Sequence, residues 1–376
     1  MCIVLLVVAL AGLQVLHMAM LSRLDDSKSD PAKVRAARRR EDVSSMYRTM
    51  VDAIEAGEVI DSSGQYRIVN FLVRSRWSAQ RQNHIASAAG DGGTGVVTLA
   101  SQCSVNHLYR VIDQYRAWPA PASVAVFATT KHLAIAVEIL VRLRVCVPSM
   151  FWNVSVHLIF PLSQTSAAGH APPLSSSGTI DDDSCAGLYK SLERQSSVTG
   201  NYAWGGVLYP NNLLRNVALD NSETEYAFVV DIDMIPSANL SSDFSAFIAG
   251  ARHLYPGDRL MVYVVPAFEI RDRTSTPADK LGLLQLWNRK HVRPFYQELC
   301  WKCHRHTNYT VWRNLSLAEP MAVGFEATWH DPWEPFYITP LTIPRYDERF
   351  KQYGFNRISQ VSLTINPLSY FLTMLI

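Results

Sequence analysis

The stretch EYAFVVDIDMIPSANL, residues 225–240, decides how the chain is read. An apolar, β-branched and aromatic run, Tyr226 to Val230, ends in two acids, Asp231 and Asp233, separated by one residue. Four to eight such residues bounded by polar and turn-forming ones predict a buried strand. The acids then lie at its carboxyl end, which is where open α/β sheets bind ligands. Two carboxylates that converge as the chain turns suit a hard divalent cation, Mn²⁺ or Mg²⁺, which can take phosphate oxygens as further ligands. The competing reading is a strand end with two solvated acids, because D-x-D alone is common.

Upstream, apolar runs alternate with helical periods. GVVTLA (95–100), SVAVFA (123–128) and VSVHLIF (154–160) read as strands. NHLYRVIDQYRAW (106–118), the HLAIAVEILVRLR stretch and NNLLRNVALDNS (211–222) read as helices. This alternation predicts an α/β domain with a mostly parallel sheet flanked by helices. Downstream, 258–270 reads as a strand region and 281–300 as a helix, while the aromatic and proline-rich part from ATWHDPWEPFYITP onward reads as irregular. The Pro/Ser-rich segment after Phe160 reads as a surface excursion.

The bulk numbers set limits. The chain has 376 residues, 48% of them hydrophobic and 18% charged, with a net charge of +2. That suits a globular domain of good size and gives no electrostatic footprint for nucleic acid. No G-x-S-x-G, Walker or H-E-x-x-H pattern is present, which removes support for serine hydrolase, P-loop and zincin chemistry. Residues 1–21, MCIVLLVVALAGLQVLHMAML, are apolar over nearly the length of a membrane span. They are expected to be a signal-anchor, with a cleaved signal peptide as the alternative. The basic residues that follow them, Arg23 to Arg40, oppose a lumenal orientation under the positive-inside rule. Four N-x-[ST] sequons, at Asn153, Asn239, Asn308 and Asn314, favour the secretory pathway and are candidate glycosylation sites. Residues 22–90 are expected to be a stem and 91–376 the globular domain.

Several side chains could carry chemistry. Arg215 and Asn216, on the helix before the acid-bearing strand, could pair with a diphosphate or a sugar carboxylate, or could be ordinary exposed helix residues. In GFEATWHDPWEPFY, the acids Glu334, Asp331 and Glu326 sit among aromatics. One of them could take the proton of an acceptor hydroxyl while aromatic faces stack on a sugar; the alternative is aromatics in the core and acids on the surface. CWKCHRH, 300–306, has a spacing that suits a local disulfide, a redox pair or zinc.

Seven segments in order, TLASQCSVNHLYRVIDQY with WPAPASVAVFA, VSVHLIFP, YPNNLLRNVAL, YAFVVDIDMIPS, PFYQELCWKC, WEPFY and RYDERFKQYGFNRISQ, resemble one family. It is the family of the animal β1,4-glucuronyltransferases and the glucuronyltransferase half of the LARGE-type enzymes, glycosyltransferase family 49. The resemblance covers about residues 66–360. It implies a GT-A fold and a type II Golgi membrane protein. The implied reaction is Mn²⁺-dependent transfer of glucuronic acid from UDP-glucuronate, in β1,4 linkage, to xylose in the O-mannosyl glycan of α-dystroglycan. It implies that Asp231 and Asp233 hold the metal, with Asp231, Arg215 and Asn216 at the donor and the WHDPWEPFY loop at the acceptor. Its partners would be a nucleotide-sugar donor and a glycoprotein acceptor, with room for a homo-oligomer or a complex with other glycosyltransferases. The family also completes its metal site with a later histidine, whereas here no histidine follows His330. The domain is therefore expected to be C-terminally incomplete relative to the family, and an inactive member that serves as a binding partner is an alternative.

Overall fold

The computed structural model describes residue 14 and residues 31–85, 97–162, 180, 182–200, 202–251, 261–316, 321–352, 354, 356–364 and 370–375. The expected membrane anchor, residues 1–21, falls almost wholly outside them. Among the described residues no helix is long and apolar enough to cross a membrane.

Four strands form the parallel centre of the main sheet: β3 (Val97–Ser104), β4 (Ala122–Phe127), β5 (Val154–Pro161) and β6 (Tyr226–Asp231). Their order is β5-β4-β3-β6, so the chain moves outward from β3 through β4 to β5 and then returns to β3's other side. That reversal makes a topological switch point between β3 and β6. Their register sets Gln102 beside Asp231. All four are buried on both faces, so polar residues such as Ser101 and His157 are enclosed along with the apolar ones.

The period of two along a strand then decides which face each side chain meets. On β6, Tyr226, Phe228 and Val230 enter the larger core, which is lined by α3 (Val111–Ala117) and α4 (Thr130–Cys146). Ala227 and Val229 face the other way, onto α7 (Asn211–Asp220), together with Ala100 and Ala125 of the neighbouring strands. Asp231 and Gln102 have the parity of that second face. The alanines there let α7 pack close, which brings its polar side chains to the strand ends.

The sheet has ten strands in all, and its flanks are antiparallel. Two additions depart from the sequence reading. The expected stem contributes α1 (Pro31–Ala56), β1 (Glu58–Ile60), β2 (Tyr66–Val73) and α2 (Arg76–Ile85). Strand β2 pairs with β5, and α1 buries Met50 and Ile54 in the larger core. Within 31–85 the chain is therefore part of the domain, because those two apolar side chains and the alternating strand require a partner.

The aromatic segment read as irregular supplies β10 (Ala322–Ala327) and β11 (Tyr337–Pro340), and β11 lies between β6 and β7 (Met261–Val264). The span read as one helix over 281–300 is α9 (Lys280–Asn288) followed by β9 (Val292–Pro294), which pairs with β8 (Phe268–Ile270). β12 (Tyr370–Leu375) runs parallel to β7, with Phe371, Leu372 and Met374 buried. α5 (Asp182–Ala186) and α6 (Leu188–Thr199) occupy the end of the expected surface excursion, whose residues 163–179 lie outside the described ones. α8 (Leu240–Ala251), α10 (Trp301–His304), α11 (Tyr309–Asn314) and α12 (Ile358–Thr364) complete the element order.

Cys146 at the end of α4 is bonded to Cys185 in α5, which pins the excursion to the domain. Cys300 and Cys303 form a second disulfide, so the CWKCHRH spacing is a local bridge. Among the described residues no group of three or more His, Cys, Asp or Glu could hold a metal ion.

Candidate active site at the carboxyl ends of β3 and β6

Asp231 is the hub. Its Oδ1 accepts hydrogen bonds from Gln102 Nε2 at 2.9 Å and Arg215 at 3.1 Å, and its Oδ2 accepts one from Arg357 at 3.1 Å. Burial alone would raise its pKa, but Arg215, Arg357 and the Gln102 bond outweigh that and hold the carboxyl well below the usual range. Gln102 is itself fixed by Tyr209, whose hydroxyl donates to Gln102 Oε1. The turn after β6 is clamped by Gln114 of α3, which donates to the carbonyls of Asp231 and Met234 at 3.0 Å each. This frame turns Ile232 inward and leaves Asp233 exposed.

Asp233 behaves differently from its neighbour. Its pKa is raised, first by partial loss of hydration against the protein and second by the charge of Asp231; its own backbone N–H, Arg110 and His107 pull the other way. His107 and Arg110 belong to the short helical turn Val105–Arg110 that continues β3. The His107 pKa is lowered by desolvation and then by Arg110, against a contrary pull from Asp233.

The α7 residues divide by role. Arg215 is buried, at 4% exposure, and reaches Asp231 while also donating to Asn212 Oδ1 at 3.2 Å. Asn216 points elsewhere. Its amide exchanges bonds with the backbone of Tyr346 at 2.9 Å both ways and donates to Glu348 at 2.8 Å. Asn212 likewise donates to the carbonyls of Asp347 and Asn356. These amides tie the 346–357 segment over α7, and that segment delivers Arg357. The sequence reading missed Arg357: it stood unremarked in the FNRISQ stretch, more than a hundred residues from its partner.

Glu334 belongs to the same neighbourhood. Its pKa is raised by desolvation, while Arg357 and Arg215 lower it and Asp231 raises it, so all three charges act on it. Its backbone N–H donates to Cys303 O at 2.8 Å, which fastens it to the Cys300–Cys303 turn. Arg357 also stacks 4.1 Å over the Phe336 ring. Asp331 and Glu326 are exposed, and no described contact joins either to this cluster. Trp333, Phe336 and Tyr337 are buried at 0–4% exposure, so of the aromatics around Glu334 these three are core. Among the sequons, Asn239, Asn308 and Asn314 are exposed, whereas Asn153 is half-buried and its Ser155 lies inside β5.

The pair of acids can be weighed against a divalent cation. Asp231 is already neutralised by two guanidinium groups, so it is poorly disposed to give both oxygens to a metal. Among the described residues the Asp233 carboxylate is engaged only by its own backbone N–H, and desolvation followed by the like charge of Asp231 raises its pKa, a penalty that a cation would relieve. One free carboxylate with a second beside it fits an ion of the Mg²⁺ type, which completes its shell with water and substrate phosphates. The residues present fit such an ion, with Asp233 as the principal protein ligand.

Comparison with known proteins identifies the family. A family described as glycosyl-transferase for dystroglycan matches residues 96–367. The chain is 37% identical over 311 residues to beta-1,4-glucuronyltransferase 1 of Danio rerio, covering 82% of this chain and 70% of that protein. It is 37% identical over 310 residues to the Homo sapiens protein of the same name, covering 82% and 69%. The xylosyl- and glucuronyltransferase LARGE2s of Gallus gallus is 32% identical over 157 residues, 42% of this chain and 20% of that one. A mixed α/β domain with a parallel centre and an acid pair at its switch point fits a GT-A type glycosyltransferase. The chain belongs to the family of glycosyltransferases for dystroglycan and is a transferase enzyme.

Proposed function

We propose that this protein transfers glucuronic acid from UDP-glucuronate, in β1,4 linkage, to a xylose-terminated acceptor. The acceptor would be an O-mannosyl glycan of the α-dystroglycan type, and the site the Golgi lumen, with the chain held by an N-terminal anchor. The observation that carries the reading is the Asp231–Asp233 turn, organised by Gln102, Gln114, Arg215 and Arg357 at the switch point of the sheet. The shared name of the relatives supports glucuronate as the sugar.

Each residue has a task in this reading. Asp231 orients the turn and sets the two guanidinium groups, giving a rigid rim that costs no reorganisation when the donor arrives. Asp233 holds Mn²⁺, or Mg²⁺, which when bound neutralises charge growing on the departing diphosphate. Glu334 accepts the proton of the acceptor hydroxyl as that oxygen attacks the sugar's anomeric carbon. Its raised pKa makes it a better base than an ordinary surface carboxylate, and its backbone bond to Cys303 O fixes its position. The buried aromatics shape the wall behind Glu334.

The test is incubation of the purified protein with methyl β-xyloside, MnCl₂ and one donor at a time: UDP-glucuronate, UDP-xylose, UDP-glucose or UDP-galactose. A disaccharide formed from UDP-glucuronate, with a β1,4 linkage by NMR, is the expected product. Turnover with UDP-xylose and none with UDP-glucuronate would replace the donor and keep the fold's chemistry. No product from any donor, with folded protein, would contradict the reading.

A further inference from the structure

Arg110 is a cation that the fold does not use. It ends the helical turn that continues β3, so it sits at the carboxyl end of the strand adjacent to β6. Its Nε is buried without a hydrogen-bond partner, and among the described residues its guanidinium makes no hydrogen bond or ion pair. Asp113, three residues on, is already taken: it accepts the Tyr189 hydroxyl at 2.7 Å and faces Arg116 at 3.9 Å. Its guanidinium carbon lies 5.6 Å from the centroid of the Tyr109 ring.

A buried, unsatisfied donor on a charged group is costly, and native proteins leave few of them. Here the unsatisfied group stands at the one place in the fold where a ligand is expected. Arg215 and Arg357, by contrast, are committed to Asp231. Of the three arginines at the switch point, Arg110 is the one whose charge is unspent. A guanidinium offers its N–H pairs in a fork that matches carboxylate and phosphate oxygens.

Resting on the donor-site reading above, we infer that Arg110 receives the anionic oxygens of the nucleotide-sugar donor. Those oxygens belong either to the diphosphate or to the carboxylate of the sugar. In this arrangement the diphosphate lies between two positive groups, the cation at Asp233 and the Arg110 guanidinium. Alternatively the cation takes the diphosphate and Arg110 selects an acidic sugar over a neutral one.

Titration calorimetry with MnCl₂ tests this on the wild type, Arg110→Gln and Arg110→Lys, using pyrophosphate, UDP, UDP-glucuronate and UDP-glucose. Arg110→Gln is expected to weaken UDP-glucuronate by at least about tenfold, the loss expected for a charge-assisted hydrogen bond. Equal weakening of all four ligands assigns Arg110 to the diphosphate. Weakening of UDP-glucuronate alone, so that the preference over UDP-glucose disappears, assigns it to the sugar carboxylate. Arg110→Lys keeps the charge and loses the fork, so it falls between, and it serves as the working variant if Arg110→Gln does not fold. Wild-type affinity for all four ligands in both variants overturns the inference and leaves the donor reading intact. Binding of pyrophosphate but no nucleotide by the wild type, lost in Arg110→Gln, keeps the anion site and removes the donor reading. A wild type that binds none of the four overturns both.

Discussion

Two acids one residue apart have opposite circumstances here, and their substitution separates structure from chemistry. Asp231 neutralises Arg215 and Arg357, both less than a tenth exposed. Asp231→Asn leaves those buried charges uncompensated, and breaking such an arrangement costs about 3–5 kcal/mol. Asp233→Asn removes an exposed carboxylate with no ion-pair partner, so stability should change by no more than about 0.5 kcal/mol. Urea unfolding of the two variants checks the contrast, and manganese-dependent UDP binding should be lost in Asp233→Asn despite its native stability. Equal stabilities would show that the arginine cluster is not organised by Asp231.

As the proposed general base, Glu334 would give the reaction a pH dependence of known sign. The general base must be ionised, and desolvation raises its pKa above that of an ordinary glutamate. The rate therefore falls as pH drops through that raised value and levels off above it. Measuring kcat/KM against pH should show one acid limb that Glu334→Gln abolishes together with nearly all turnover; an unchanged limb in Glu334→Gln would assign the base elsewhere.

At the scale of elements, the strand and helix order between Val97 and Asp231 was legible because each strand carries a run rich in apolar residues and each helix has its own period. The position of the two acids was legible for the same reason: a buried strand ends at a polar position, as β6 does at Asp231. What escaped was long-range. β11 is only four residues long and enters between β6 and β7 from a proline-rich segment with no alternation to announce it. The Cys146–Cys185 bond escaped because isolated cysteines carry no spacing signal. That bond closes a sequence separation of 39 residues, which by chain entropy stabilises the domain by roughly 3–4 kcal/mol. The Cys300–Cys303 bond closes a separation of 3 and constrains the unfolded chain far less. Replacing Cys146 and Cys185 by serine should lower the urea midpoint strongly, whereas replacing Cys300 and Cys303 should lower it little while disturbing Glu334. Similar losses for both pairs would contradict the loop-length account.

Across the whole molecule, distant parts of the chain supply the residues around Asp231. The parallel centre supplies Gln102 and Asp231 by register, α7 supplies Arg215 through a face of alanines, and the 346–357 segment returns to deliver Arg357. Of these, the sequence reading singled out only Asp231 and Arg215; Gln102, Arg357 and Arg110 become significant once the sheet sets β3 beside β6. The central claim is that this junction holds a divalent cation and a uridine diphosphate. Its most direct measurement is the anomalous manganese signal from crystals grown with MnCl₂ and UDP. The account predicts one peak against the Asp233 carboxylate, with the diphosphate lying across the carboxyl ends of β3 and β6. Manganese ordered away from Asp233, or UDP bound at another face of the sheet, would contradict it.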